Sequence, residues 1–100
     1  MKRRVAVTGL GVVSPVGIGL KTFWTNLVAG KSGITNITSF DTTDFPIKIA
    51  GEVKDFNVSD FIADRKAVRH MDRDSQFALV AAIMAAEDSG LDISKEDASR

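Results

Sequence analysis

Phe77-Ala78-Leu79-Val80-Ala81-Ala82-Ile83-Met84-Ala85-Ala86 is an unbroken run of ten apolar residues in a chain of 100. At 3.6 residues per turn the run covers every side of a helix. Such a helix keeps no face for water unless its alanines form an outer face tolerated in solvent. Ten residues fall well short of the roughly 20 that span a bilayer, so the run reads as a core helix. Asp72 or Asp74 stands where its N-cap belongs, and Gly90 follows Ser89 as the stop. At the other end of the chain, residues 4–14 (Arg-Val-Ala-Val-Thr-Gly-Leu-Gly-Val-Val-Ser) are almost continuous Val and Leu. Without polar alternation they predict a strand covered on both faces, ended by Pro15 and Gly17. A two-sided strand and an all-round apolar helix need more layers than the remaining residues supply. The expectation is a portion of a larger fold, or a chain that oligomerises.

Between these elements, Leu20, Phe23, Trp24, Leu27 and Val28 fall at i, i+3, i+4, i+7 and i+8, an apolar stripe that predicts a helix stopped at Gly30. Residues 31–46 are rich in Ser, Thr, Asn, Asp and Gly and read as a loop. A short strand is expected at 47–53, with Gly51 as a bulge or close contact. Residues 60–71 read as a polar helical stretch, anchored by Phe61 and Ile62, with Arg65, Lys66 and Arg69 facing out. Ser94-x-x-Asp97 resembles one more helix cap. The class is α/β, opening as strand, helix, strand, helix.

Charge and composition remove several functions. Thirteen basic residues balance thirteen acidic ones, so no overall field draws the chain to nucleic acid or to an anionic membrane. The balance is uneven in sequence. Residues 1–40 carry five basic groups and no acid, and residues 41–64 carry six acids against Lys48 and Lys54. Arg65, Lys66, Arg69 and Arg73 then cluster with His70 around the single acid Asp72. There is no Cys, which excludes a disulfide framework, a Cys-ligated metal and a thiol nucleophile within these residues, and one His rules out a His-pair metal site. The basic start followed by an apolar stretch imitates a signal peptide, but four glycines and Pro15 interrupt it and no small-x-small cleavage site follows. A cytoplasmic location is expected.

Three motifs imitate chemistry. Gly9-Leu10-Gly11 follows a strand, but a dinucleotide fingerprint needs a Gly at position 14, which is Ser, and an acid about 20 residues on, whereas the first acid is Asp41. Gly30-Lys31-Ser32 mimics the end of a P-loop, but position 25 is Thr and the motif follows a helix instead of opening one. His70 has no Cys or second His nearby and reads as an exposed member of the basic cluster. No catalytic, metal or cofactor-binding residue is assigned.

The opening Arg3-Arg4-Val5-Ala6-Val7-Thr8-Gly9-Leu10-Gly11-Val12-Val13-Ser14-Pro15-Val16-Gly17 resembles the amino terminus of β-ketoacyl-acyl carrier protein synthases. The resemblance continues through Phe23-Trp24, Gly30-Lys31-Ser32-Gly33-Ile34, Phe40-Asp41, Ala50-Gly51-Glu52-Val53, Asp64-Arg65-Lys66, Met71-Asp72 and Glu87-Asp88-Ser89-Gly90-Leu91. Val53-Lys54-Asp55-Phe56-Asn57 is similar to the bacterial type II elongation enzymes. The resemblance implies a thiolase-like fold of two similar βαβαβαββ halves in five layers, α-β-α-β-α. Residues 1–100 would supply the first strand, helix, strand and helix of the first half, with the rest of that half and the second half lying outside the chain.

It also implies a decarboxylating Claisen condensation in fatty acid elongation, in a homodimeric enzyme that acts on acyl and malonyl thioesters and needs no cofactor. The family's Cys nucleophile, activated at a helix N-terminus, and its two catalytic His have no counterpart here. What transfers by position is docking. Arg65, Lys66 and Arg69 match a segment that presents basic side chains to the acidic acyl carrier protein, and His70 stands where a Lys is often found. An ordinary solvated helix face is the competing explanation. Competing functions are a non-catalytic chain-length factor, a polyketide ketosynthase relative and, more remotely, a nucleotide-binding oxidoreductase built on Gly9 and Gly11.

Overall fold

The computed structural model describes residues 2–92 and Lys95. Two antiparallel ribbons and three helices follow in the order β1 (Val13–Ser14), β2 (Gly17–Ile18), α1 (Leu20–Val28), β3 (Ile34–Asn36), β4 (Ile49–Gly51), α2 (Arg65–Arg69) and α3 (Arg73–Ser89), with a 3-10 turn at Val58–Asp60. β1 pairs with β2 through Val13↔Ile18 and Ser14↔Gly17. β3 pairs with β4 through Ile34↔Gly51, Thr35↔Ala50 and Asn36↔Ile49. α1 packs on β2, and α3 packs on β1.

α3 forms where the apolar run predicts it. The Asp72 carboxylate accepts from the Ser75 N–H at 2.8 Å, capping the first turn, and Gly90 adopts φ 68° to end the helix, a conformation costly for a residue with a Cβ. Val80 is the one fully buried side chain among the described residues. Ala78 and Ala82 lie exposed, so the helix does carry an alanine outer face, while its larger residues are half-buried.

The expected strand at 4–14 is reduced to Val13–Ser14. Residues 2–12 have no ladder partner, and Val5 and Val7 stand 92% and 80% exposed. A strand is stabilised by a neighbouring strand that takes its backbone N–H and C=O groups, and among the described residues that pairing reaches back only to the Val12 carbonyl, which accepts from the Gly19 N–H at 2.8 Å. The segment instead lies along α3, where the Leu10 N–H donates to the Asp88 carboxylate at 2.9 Å. A Cβ built on Gly9 would strike the Ala85 carbonyl and come within 2.6 Å of the Ser89 nitrogen; one built on Gly11 would strike the Ala81 carbonyl. These glycines serve backbone contact.

Three further expectations change. The loop predicted at 31–46 contains β3, and the strand predicted at 47–53 narrows to Ile49–Gly51. The single helical stretch predicted at 60–71 splits, because Asn57 and Asp64 each cap a separate short turn: the Asn57 Oδ1 accepts from the Ser59 N–H, and the Asp64 Oδ1 from the Lys66 and Ala67 N–H groups. Phe61 anchors by stacking on Phe56 with ring centroids 6.1 Å apart. The cap read at Ser94-x-x-Asp97 lies outside the described residues. The radius of gyration is 17.2 Å, against about 13 Å for a compact domain of this length, which agrees with elements spread around a core of one fully buried residue.

Candidate functional site

The basic cluster is built on α2. Asp64 caps it at 3.0 Å from the Lys66 nitrogen and 3.3 Å from the Ala67 nitrogen, and the Met71 N–H closes its far end on the Val68 carbonyl at 3.0 Å. Val68 is the one half-buried residue of the helix, while Arg65, Lys66 and Arg69 stand exposed. Among the described residues none of these three cations has an acid within ion-pairing distance; the ion pair present, Lys95 with Asp92 at 3.8 Å, lies elsewhere. His70 follows as an exposed C-cap.

Arg65 and Arg69, one helical turn apart, flank a depression of about 240 Å³ whose apolar residues are Val58, Ile62 and Val68, with Ser59 beside them. The 3-10 turn supplies one wall and α2 the other.

Arg73, counted with this cluster in the sequence, is not available to it. Its guanidinium donates to the Val53 carbonyl at 3.1 Å and lies 5.0 Å from the Phe77 ring centroid and 5.6 Å from that of Phe56. This clip joins the first turn of α3 to the segment after β4 by cation–π contact and a hydrogen bond. Two of these partners lie 17 and 20 positions upstream, at Phe56 and Val53, beyond the reach of local pattern; Phe77 is its i+4 neighbour on α3.

A second polar centre lies at Glu52. Its carboxylate accepts from the Thr38 N–H at 2.9 Å, the Thr38 hydroxyl at 3.1 Å and the Ser39 N–H at 3.0 Å. The Ser39 hydroxyl, then the Thr38 amide and the remaining bonds, hold its pKa down at about 2. Glu52 lines an open cleft of about 840 Å³ together with Pro15, Lys54, Asp55, Arg73 and Phe77. Asp55 there has φ 59°, the left-handed region that few residues with a Cβ adopt. The Glu52 bonds tie the strap after β3 to the end of β4.

Ser14 has a role that its part in a failed glycine fingerprint hid. Its hydroxyl donates to the Gly17 carbonyl at 3.0 Å and accepts from the Val16 and Gly17 N–H groups, closing the β1–β2 turn. The Asn26 side chain then donates to the Val16 carbonyl at 2.7 Å and seats α1 against that turn. α3 backbone fills the space beside Gly9 and Gly11, so these glycines face a helix at close range and leave no room between them and α3 for a phosphate. Among the described residues no group of three His, Cys, Asp or Glu is placed to hold a metal ion, and no helix is long and apolar enough to cross a membrane.

The model of the beta-ketoacyl synthase N-terminal domain matches residues 2–100. The chain belongs to the β-ketoacyl synthase family. It is 48% identical over 99 residues to a 3-oxoacyl-[acyl-carrier-protein] synthase 2 of Vibrio cholerae, covering 99% of this chain and 24% of that protein. It is 50% identical over 99 residues to the enzyme of that name from Coxiella burnetii, covering 99% and 24%. Against the Staphylococcus aureus counterpart it is 46% identical, covering 98% and 23%. The chain thus spans about a quarter of the length of these synthases. Among solved structures it superposes on an ishigamide ketosynthase/chain length factor with a TM-score of 0.76 and 39% identity, covering 92% of this chain and 23% of that one. It also superposes on a type II polyketide ketosynthase bound to its acyl-carrier protein and a hexaketide, with a TM-score of 0.66 and 36% identity, covering 97% and 21%. The chain shares a ketosynthase-like α/β arrangement with these structures.

Proposed function

We propose that residues 1–100 form the first strand-helix-strand-helix portion of a thiolase-like synthase whose complete fold stacks five layers, α-β-α-β-α. That synthase elongates fatty acids as a cytoplasmic homodimer. An acyl group passes from acyl carrier protein to a Cys thiolate, which attacks the thioester carbonyl and displaces the carrier's thiol. Malonyl-carrier protein then loses carbon dioxide, and the electron pair freed from that carbon–carbon bond attacks the acyl carbonyl carbon. The Cys thiolate leaves, and the product is a 3-oxoacyl thioester on the carrier protein. The thiolate that takes the acyl group does not come from residues 1–100, which contain no Cys, and no catalytic residue is assigned among them. The observation that carries the proposal is the 46–50% identity to 3-oxoacyl-[acyl-carrier-protein] synthases 2 over nearly the whole chain.

The contribution of this chain is docking and scaffold. Arg65, Lys66 and Arg69 on α2 are exposed cations without acidic partners among the described residues, which suits a face that meets an acidic protein. Gly9 and Gly11 set how the segment before β1 meets α3, and Ser14 sets the β1–β2 turn on which α1 is seated. The solved ketosynthase and chain-length-factor relatives favour a second reading, polyketide chain extension, although their identities of 36–39% are lower. The test is a condensation assay on a synthase of full family length carrying these residues, supplied with acyl- and malonyl-carrier protein. Formation of 3-oxoacyl-carrier protein with release of carbon dioxide is expected; binding without turnover indicates the chain-length-factor reading.

A further inference from the structure

Among the described residues, 2–9 make no hydrogen bond to the rest of the chain. Backbone pairing begins only where the Leu10 N–H meets Asp88 and the Val12 carbonyl meets Gly19. Val5 and Val7 are β-branched, two positions apart and almost fully exposed, so the stretch has the composition of a strand and lacks a partner. An unpaired edge of this kind is a template for a strand from another chain. Lys2, Arg3 and Arg4 stand at its start, exposed and without an acidic partner among the described residues. At its other end lies a depression of about 450 Å³ lined by Leu20, Lys21, Trp24, Thr25 and Asp88. One Asp88 oxygen holds the Leu10 N–H, which leaves the second open, and Trp24 beside it is 61% exposed. Lys21 on the rim is too distant to pair with Asp88. An indole next to a free carboxylate oxygen suits an incoming cation, by cation–π contact and by charge.

We infer that residues 4–10 pair antiparallel with the same residues of a second copy of this chain, each copy's basic start entering the other's Trp24–Asp88 depression. Charge selects the direction. Parallel pairing would set Lys2, Arg3 and Arg4 against their own counterparts, whereas antiparallel pairing sets them beside Leu10, where Asp88 stands. The arrangement is isologous, so every contact is made twice and the assembly closes at two copies. It is separate from the condensation proposed above. In the complete synthase of that proposal the rest of the sheet takes the same edge, so this association belongs to residues 1–100 by themselves.

Sedimentation velocity of the 100-residue chain over a range of concentrations reads the association, with circular dichroism reporting the helices of each variant. The wild type is expected to sediment as a dimer that dissociates on dilution. Val7→Pro removes one backbone donor at an exposed position that makes no bond within its own chain, and should raise the dimer Kd at least tenfold. Arg3→Glu with Arg4→Glu should raise it about tenfold at low salt and less at high salt. Adding Asp88→Lys to that pair should recover much of the loss, which separates a specific contact from a general change of charge. A monomer at every concentration, or species larger than a dimer, would overturn the inference. A dimer whose Kd is unmoved by Val7→Pro and by reversal at positions 3 and 4 would place the contact elsewhere and overturn it as well. A wild-type chain without helical signal would do the same, because the pairing requires the Asp88 end of α3 to be formed.

Discussion

Gly11→Ala isolates the contact that joins the segment before β1 to α3. Gly11 does not have positive φ, so alanine fits its backbone conformation, and the smaller entropy of the unfolded chain would by itself favour the variant by about 0.4–1 kcal/mol. Sterics oppose that gain. The new Cβ falls on the Ala81 carbonyl and lies 2.9 Å from both the Ala81 carbonyl carbon and the Ala85 nitrogen, whereas carbon–carbon contacts are most favourable near 3.5–4.0 Å. All three atoms are helix backbone, so no rotamer change relieves the overlap, and segment 9–12 must lift off α3. Lifting strains packing by about 1–3 kcal/mol and weakens the bond from the Leu10 N–H to Asp88, worth about 0.5–1.5 kcal/mol. The steric side wins, with a net loss of about 1–3 kcal/mol. Urea unfolding followed by circular dichroism reads it, with Lys31→Ala, a change at an exposed residue, as control. A Gly11→Ala midpoint indistinguishable from the control would refute the claim that this glycine exists for backbone approach.

Two further outcomes follow from side-chain partners. Glu52 is held at about 2 when folded, below its ordinary 4.5, so its bonds contribute stability that is fully present above about pH 4.5 and is lost as pH falls through about 2. Hydrogen exchange at the Thr38 and Ser39 amides should accelerate, relative to the intrinsic rate, across that acid window, and Glu52→Gln should remove the pH step. Arg73→Gln should lower stability by about 0.5–1 kcal/mol through loss of contact with Phe56 and Phe77, yet leave KM for carrier-linked substrates unchanged, because that guanidinium faces its own fold.

The helices were legible because their signals are local. The stripe from Leu20 to Val28, the Asp72 cap and the Gly90 stop lie within the segments they govern, and each fell within a residue or two of its expected place. The strands were not, since a strand exists through a partner distant in sequence. Ile34–Asn36 is three residues in a Ser- and Thr-rich stretch and gains its identity from Ile49–Gly51, while the strongest strand signal in the chain, residues 4–14, finds little to pair with. The candidate site divides the same way. Exposure of Arg65, Lys66 and Arg69 followed from their place on a polar helix, whereas withdrawal of Arg73 depended on Phe56 and the Val53 carbonyl, which no local spacing connects to it, together with its i+4 neighbour Phe77. The depression beside α2 was equally hidden, because Val58 lies on a 3-10 turn that starts before the stretch expected at 60–71 and lines the same hollow as Val68 on a separate helix.

The central claim is that α2 docks an acidic carrier protein, and the most direct measurement is steady-state kinetics of Lys66→Glu combined with Arg69→Glu in a synthase of full family length carrying these residues. Each exposed ion pair contributes about 0.2–1 kcal/mol, and reversing two charges adds repulsion, so KM for carrier-linked substrates should rise on the order of tenfold at low salt. The rise should shrink at high salt, with kcat nearly unchanged and short thioester substrates unaffected. An equal loss on carrier-linked and short thioester substrates, or no loss on either, would contradict docking on α2.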